Sequence, residues 1–256
     1  MYTIDVNCDL GESFGNYKCG MDEEILPYIS SANVACGFHA SDPLTMSKTV
    51  GLAKQQGVSV GAHPGYPDLV GFGRRNMNVN TQELKAMVQY QVGALMSFCK
   101  AASVPLVHVK PHGAMYNMAA KDERLALAIC EGIYEVDKQL ILLGLSGSKL
   151  LWAAKETGLK SASEAFLDRA YEEDGTLVAR SKPGAMIEDD KLAIKRAVTM
   201  IKEGKVKAIT GKEIAIEPDS ICIHGDGAHA IAFAKAIQDS FVKEGIQVLS
   251  MKDKCM

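Results

Sequence analysis

Short runs of alternating apolar and polar residues recur along the chain. Between them lie longer runs in which apolar residues return every three or four positions. Alternation marks a half-buried strand, and the three-four step marks one face of a helix. The alternating runs predict strands at 2–7, 31–36, 58–62, 105–110, 139–144, 161–166 and 220–224. One helix opens at Asp42-Pro43, an N-cap residue followed by proline at the first helical position. The longest helix runs from Thr81 to about Ala102, with Leu84, Val88, Gln91, Leu95, Phe98 and Ala102 on one stripe. Leu125, Ile129, Ile133 and Val136 make a second stripe, and Ile194, Val198 and Ile201 a third. Ala230, Ala234, Ile237 and Phe241 make a fourth. Segment 205–217 predicts a small hairpin turning at Thr210-Gly211-Lys212. Residues 172–187, rich in Gly, Pro and charge, read as a surface loop.

Strands alternating with helices imply βαβ units and a parallel sheet. Seven such units in 256 residues favour a closed or nearly closed β/α barrel over an open sheet, in one domain spanning 1–256. Strands of a parallel sheet buried on both faces read as continuous apolar runs. These do not. Ile4, Val6 and Cys8 oppose Asp5, Asn7 and Asp9; Val107 and Val109 oppose His108, Lys110 and His112. Val58, Val60 and Ala62 oppose Ser59, Gly61 and His63; Ile221 and Ile223 oppose Cys222, His224 and Asp226. In a barrel the apolar side meets the helices, so the polar side points along the axis. An unpaired buried charge costs several kcal/mol, so such a column requires a ligand, an ion, water or an internal salt-bridge network.

Asp9, His39, His63, His112 and Asp226 fall at or just past strand C-terminal ends, the face on which β/α barrels carry active sites. His108, deeper in its strand, reads as a core histidine. "NCDLGES" (7–13) offers Asn7, Asp9 and Glu12 as base, substrate clamp or metal ligand. "NVACGFHASD" (33–42) adds Asn33 and His39. Asp9, His39 and His63 can hold an ion such as Zn²⁺ with an open position, or act without metal as acid/base pairs. The spacing is not that of H-E-x-x-H, and a bound metal stays open. "GAHPGYPDLVGFGRR" (61–75) reads as a mobile active-site loop whose Arg74 or Arg75 clamps a carboxylate. "EAFLDRAY" (164–171) carries Glu164, Asp168 and Arg169, placed for a Glu164–Lys110 or Asp168–Arg169 ion pair or for orienting substrate. The amides of "CIHGDG" (222–227) can receive an anion at the start of the last helix.

Composition narrows the function classes. The residues are 47% hydrophobic and 23% charged, with no apolar run near the roughly 20 residues of a membrane span. No secretory signal is readable, and the expectation is a cytoplasmic protein without membrane contact. A net charge of −3 without a basic run speaks against nucleic acid. Seven cysteines without a C-x-x-C read as reduced, mostly buried thiols. No GxxxxGK[ST] occurs, so no P-loop site for ATP is readable.

The blocks "NCDLGES", "NVACGFHASDP", "GAHPGYPD", "GFGRR", "VKPHGAMYN", "EAFLDRAY" and "CIHGD", in this order and spacing from about Val6 to Asp226, resemble the LamB/YcsF family. Two positions depart from its pattern: Ser41 and Leu167 stand where glycine and alanine are expected. The resemblance implies an irregular seven-stranded parallel β/α barrel of the glycoside hydrolase/deacetylase type. It further implies ATP-dependent opening of the 5-oxoproline (pyroglutamate) lactam to L-glutamate, together with partner subunits B and C. The partners would handle ATP, with Mg²⁺, and phosphorylate the lactam carbonyl oxygen, while this chain brings water to C5. On that reading Asp9, His39 or His63 is the general base, and Lys110, His112 and His224 are cationic donors to developing negative charge. Arg74 or Arg169 holds the substrate carboxylate. Asn7, Glu12, Asn33, Tyr116, Glu164 and Asp226 complete the binding set. Two rivals stay open: a metal-dependent deacetylase or amidohydrolase on a similar barrel, and a non-catalytic, ligand-binding role. A homodimer also stays open.

Overall fold

β1 (Tyr2–Leu10), β2 (Ser31–Ala35), β3 (Ser59–His63), β4 (Leu106–Val109), β5 (Ile141–Leu145), β6 (Lys160–Phe166) and β9 (Ser220–Ile223) pair in that order, all parallel, and β9 returns to β1. The computed structural model describes residues 1–223 and 228–255, with backbone only at 228, 229 and 255. The result is the expected closed seven-stranded parallel barrel. Around it run α1 (Asp22–Ile25), α2 (Pro43–Gln56), α3 (Thr81–Ala101), α4 (Gly113–Ala119), α5 (Glu123–Val136), α6 (Lys149–Thr157), α7 (Asp190–Glu203) and α8 (Ala228–Lys243). The hairpin β7 (Lys205–Lys207) and β8 (Glu213–Ala215) is antiparallel, as its turn residues predict. No described helix is long and apolar enough to cross a membrane.

Local chemistry sets the helix ends. Asp42 accepts hydrogen bonds from the amides of Leu44 and Thr45 at 2.8 and 3.1 Å, and Pro43 occupies the first helical position of α2. Asn80 and Glu83 form a reciprocal capping box at the start of α3. Leu84, Val88, Gln91 and Leu95 of α3 are buried, as their spacing requires. In α7 the stripe is turned by one residue: Ala193, Ala197 and Met200 are buried, and Ile194, Val198 and Ile201 pack at the margin. Alanines let that helix lie close to its neighbours, so the larger residues flank the contact.

The apolar core lies between the barrel wall and the helices, where Ile4, Val6, Val60, Ala62, Val109 and Ile221 are fully buried. Two strands depart from simple alternation. β3 pairs Val60 with Leu106 and Gly61 with His108, so Val107 is an extra residue in β4. Such a bulge turns successive residues to one side. Val107 therefore does not face the helices; it joins Ile141, Leu143, Ala162 and Met251 in a separate cluster. Opposite the bulge stands Gly61, where a Cβ would lie 2.1 Å from His108 Nε2. Glycine is what allows the imidazole to lie across the barrel.

The second departure is at the C-terminus. β10 (Ile246–Val248) adds to the first residues of β1, and α9 (Met251–Cys255) follows. Met251 is fully buried against Val107, Ile141, Leu143 and Ala162, and its amide donates to Ser31 Oγ at 3.2 Å. This apolar cluster closes the N-terminal end of the barrel. The polar end is therefore the other one. There, residues 168–187 are more than a solvated loop. Ladder bridges join Arg169 to Met186 and Tyr171 to Leu177, and Ala170, Val178 and Ala185 form a small core of their own.

Candidate functional site

The inward faces of the strands build a hydrogen-bonded column along the barrel axis. At its base Asp5 accepts from Ser30 Oγ at 2.7 Å, Ser31 Oγ at 2.6 Å and Ser220 Oγ. Burial raises the Asp5 pKa against these bonds. Asn7 Nδ2 donates to Ser220 Oγ at 2.7 Å. Asn33 Nδ2 donates to Asn7 Oδ1 at 2.7 Å and Asp9 Oδ1 at 2.9 Å. His108 Nε2 donates to Asn33 Oδ1 at 2.7 Å. Burial, with Lys110 and His63 nearby, holds His108 down to about 3, so its ring is neutral.

Above this column sits Lys110. Its Nζ is 2.8 Å from Glu164 Oε1, 3.0 Å from Asp9 Oδ1, 3.1 Å from Asn7 Oδ1 and 3.2 Å from Cys222 Sγ. Burial opposes the ammonium charge, but the carboxylates of Asp9 and Glu164 outweigh it and raise the Lys110 pKa well above its ordinary value. Burial drives the Cys222 thiol far up, which keeps it protonated rather than nucleophilic. Tyr116 Oη donates to Glu164 Oε2 at 2.6 Å. The cation is thus fixed between two carboxylates, each oriented by a second partner.

His63 and His112 are oriented by backbone carbonyls. His63 Nδ1 lies 2.7 Å from Lys110 O, and His112 Nε2 lies 2.8 Å from Phe72 O; a carbonyl only accepts, so both nitrogens carry hydrogen. In the neutral rings the other two nitrogens, His63 Nε2 and His112 Nδ1, then face each other as lone pairs at 2.9 Å. That approach is favourable only with a proton or a cation between them. Asp9 Oδ2 lies 3.3 Å from His63 Nε2, and Glu12 Oε1 lies 3.7 Å from His112 Nδ1 and 3.3 Å from His39 Nε2. Burial first, then neighbouring imidazoles, hold His39 and His112 well below the usual histidine range.

Glu12, His39, His63 and His112 each offer a ligand atom within 4.8 Å of the others, so they can hold a metal ion. Three imidazoles and a carboxylate suit Zn²⁺ or a similar ion. His39 and His112 are stacked, with centroids 3.7 Å apart and planes within 2°. Any bound ion would be held by these side chains and would supply Lewis-acid chemistry beside the cavity.

Asp9, His63, Lys110 and His112 form the floor of a cavity of about 600 Å³ at the C-terminal end of the barrel. Tyr116, Arg74 and Arg169 also line it. Of the other expected site residues, Asn7, Asn33 and Glu164 are fully buried beneath the floor, and Glu12 and His39 stand beside the two oriented imidazoles. His224 and Asp226 lie outside the described residues. The segment after β3 is packed into the site rather than standing free. A Cβ on Gly73 would meet His39 Cβ at 2.7 Å and His112 Cδ2 at 2.8 Å. Arg75 is tied to Asp68, so only its neighbour Arg74 faces the cavity. Sequence reasoning missed Lys121 and Arg180, which also line it. Arg180 sits in a charged, glycine-containing stretch with no periodicity that would set it apart from a solvated loop.

The LamB/YcsF family model matches residues 4–255. A curated relative from Clostridium beijerinckii, named as the A subunit of 5-oxoprolinase, is 66% identical over 251 residues, covering 98% of both chains. A relative of the same name from Bacillus subtilis is 52% identical and covers 99% of both. The chain is also similar to a solved structure, the lactam utilization protein from Thermus thermophilus. The TM-score is 0.92 at 45% identity, covering 97% of this chain and 100% of the other. A protein from Enterococcus faecalis V583 shares the fold at TM-score 0.60 and 11% identity.

Proposed function

The chain belongs to the LamB/YcsF family, and from that premise we propose that it opens the 5-oxoproline lactam to L-glutamate. It does so as the A subunit of a cytoplasmic, ATP-hydrolysing 5-oxoprolinase with partner subunits B and C. The observation that carries the reading is the convergence of Asp9, His63 and Lys110 on the floor of one cavity. This set matches the demands of hydrolysing an amide. A lactam carbonyl carbon is a poor electrophile, so the site must supply a base for water, a cation for the oxygen and a proton for the departing nitrogen. Lys110 is held charged and immobile by Glu164 and Asp9, and so is preorganised for negative charge on the former carbonyl oxygen. Asp9 and His63, 3.3 Å apart, take the proton of water as its oxygen bonds to C5. When the C5–N bond breaks, that proton passes to the nitrogen, which leaves as an amino group, and the acyl phosphate left on the phosphorylated oxygen is hydrolysed by a second water to glutamate and phosphate. His112, 2.9 Å from His63, provides the next site on the proton's path. ATP, with Mg²⁺, is used on the partner subunits, in keeping with the absence of a P-loop pattern from this sequence.

The test is reconstitution with the partner subunits, reading phosphate and glutamate with and without this chain. Glutamate is expected only when the chain is present, and Asp9→Ala should abolish it. Full glutamate production by the partners alone would refute the assignment.

One observation favours a second reading, a metal-dependent deacetylase or amidohydrolase: the Glu12, His39, His63 and His112 group. A bound Zn²⁺ would polarise an amide carbonyl and acidify water there. Elemental analysis of the purified chain, and loss of amidohydrolase turnover with a chelator, separate this reading from the first.

A further inference from the structure

Gln91 is fully buried on the apolar stripe of α3, between Val88 and Leu95. Its Oε1 accepts from the Gly65 amide at 2.9 Å, and its Nε2 donates to Gly65 O at 3.0 Å and to Met87 O at 3.0 Å. The side-chain amide therefore exchanges two hydrogen bonds with a single residue, as a strand partner does in an antiparallel ladder. β3 ends at His63, so the helix holds the backbone two residues past the strand. Pro64 O accepts from the His112 amide at 2.8 Å. A Cβ on Gly65 would lie 2.5 Å from His39 Nδ1, so the His39 ring rests directly on this backbone. That nitrogen has no hydrogen-bond partner among the described residues. The orientation of the ring therefore depends on Glu12 at Nε2 and on close packing, including that against Gly65.

An apolar side chain of similar size would fill the same space, but it would remove the partners of the Gly65 N–H and C=O in the interior. One polar side chain thus ties residues 63–65 to a 21-residue helix. Those three residues meet every imidazole beside the cavity: His63 is one of them, the His112 amide donates to Pro64 O, and His39 lies on Gly65. A displacement of about 1 Å at a reacting group can cost on the order of 10²-fold in rate. We propose that Gln91 is a positioning residue for the reaction at Asp9 and His63. By pairing with Gly65 it sets the rings of His63, His39 and His112 in the arrangement that proton transfer requires. The catalytic consequence rests on the proposed function; the setting of the rings does not.

The experiment compares Gln91→Met with Leu95→Ala. The first keeps most of the volume and loses the three hydrogen bonds; the second opens a cavity on the same helix face. Rates are normalised to folded protein by circular dichroism. In the complex reconstituted with the partner subunits, Gln91→Met should lower kcat for glutamate formation by about 10²-fold, with KM for 5-oxoproline within about threefold of wild type. Leu95→Ala should keep wild-type kcat. The ring N–H signals of His63 and His112 are read by NMR on the full-length chain with ¹⁵N-labelled histidine. They should shift or vanish in Gln91→Met and stay in place in Leu95→Ala. Where Gln91→Met does not fold, Gln91→Asn, one methylene shorter, takes its place under the same criteria. Unchanged ring signals overturn the proposal, as does wild-type kcat, or an equal loss of kcat in Leu95→Ala. If the wild-type complex yields no glutamate, the proposed function is refuted, and the ring signals alone decide whether Gln91 sets the imidazoles.

Discussion

Replacing Lys110 by methionine removes the cation that joins Asp9 to Glu164 while keeping most of the side-chain volume. The ammonium is 2.8 Å from Glu164 and 3.0 Å from Asp9. At an effective dielectric constant of about 20, each attraction is worth roughly 6 kcal/mol before desolvation. Burying three charged groups offsets most of that sum. What the substitution leaves is decisive: Glu164 is fully buried, and Tyr116 Oη still donates to it. Stranding a buried charge in this way typically costs about 3–5 kcal/mol. Lys110→Met should therefore lower the urea-unfolding free energy by about that amount at pH 7.5. Adding Glu164→Gln should restore most of the loss, because the amide stays bonded to Tyr116 without the charge. Neither variant should yield glutamate in the reconstituted complex, since the double variant regains stability but not the cation. A loss under about 1 kcal/mol in the single variant, or no recovery in the double, would refute the description of Lys110 as the charge balance of the barrel interior.

Asp9→Asn should cut glutamate formation by about 10²–10⁴-fold while the chain stays folded, because Asn keeps the size but not the base; turnover within a few-fold of wild type argues for another base. His108 is held down to about 3 against an ordinary 6.5, so below pH 6.5 the unfolded chain takes up a proton that the folded chain refuses. Stability should fall as pH drops from about 6.5 toward 3, by up to about 1.4 kcal/mol per unit from this residue, and His39 and His112 act in the same direction. Urea midpoints at pH 7.5, 6.5 and 5.5 measure the slope, and His108→Gln should flatten it by about one proton; an unchanged slope contradicts the neutral buried ring. Ser41 has φ +75° and is fully buried, so Ser41→Gly should stabilise the chain by about 0.5–1 kcal/mol in thermal or urea unfolding. A destabilised Ser41→Gly would show that the hydroxyl matters more than the backbone strain.

The sequence alone determined the barrel and the end at which its polar side chains gather. Alternation put Asp5, Asn7, Asp9, His63 and Lys110 on inward faces, and a strand's two-residue period leaves no other choice once the outer face is apolar. Glu164–Lys110, one of two ion pairs the residues suggested, is present at 2.8 Å. Ser41, read as a departure from a glycine pattern, stands at a positive φ, where glycine fits best. Tertiary structure decided what periodicity cannot encode. The bulge at Val107 depends on register between β3 and β4, and so on Gly61 in a different strand. The plug at Met251 depends on a three-residue strand too short to show a pattern. The orientations of His63 and His112 depend on the carbonyls of Lys110 and Phe72, backbone groups that every residue possesses and no sequence motif marks. The cavity brings together Arg74 and Arg169, more than ninety positions apart. Local interactions repeat along the chain and can be read there. Contacts between distant segments depend on how the barrel closes, and only the closed barrel contains them.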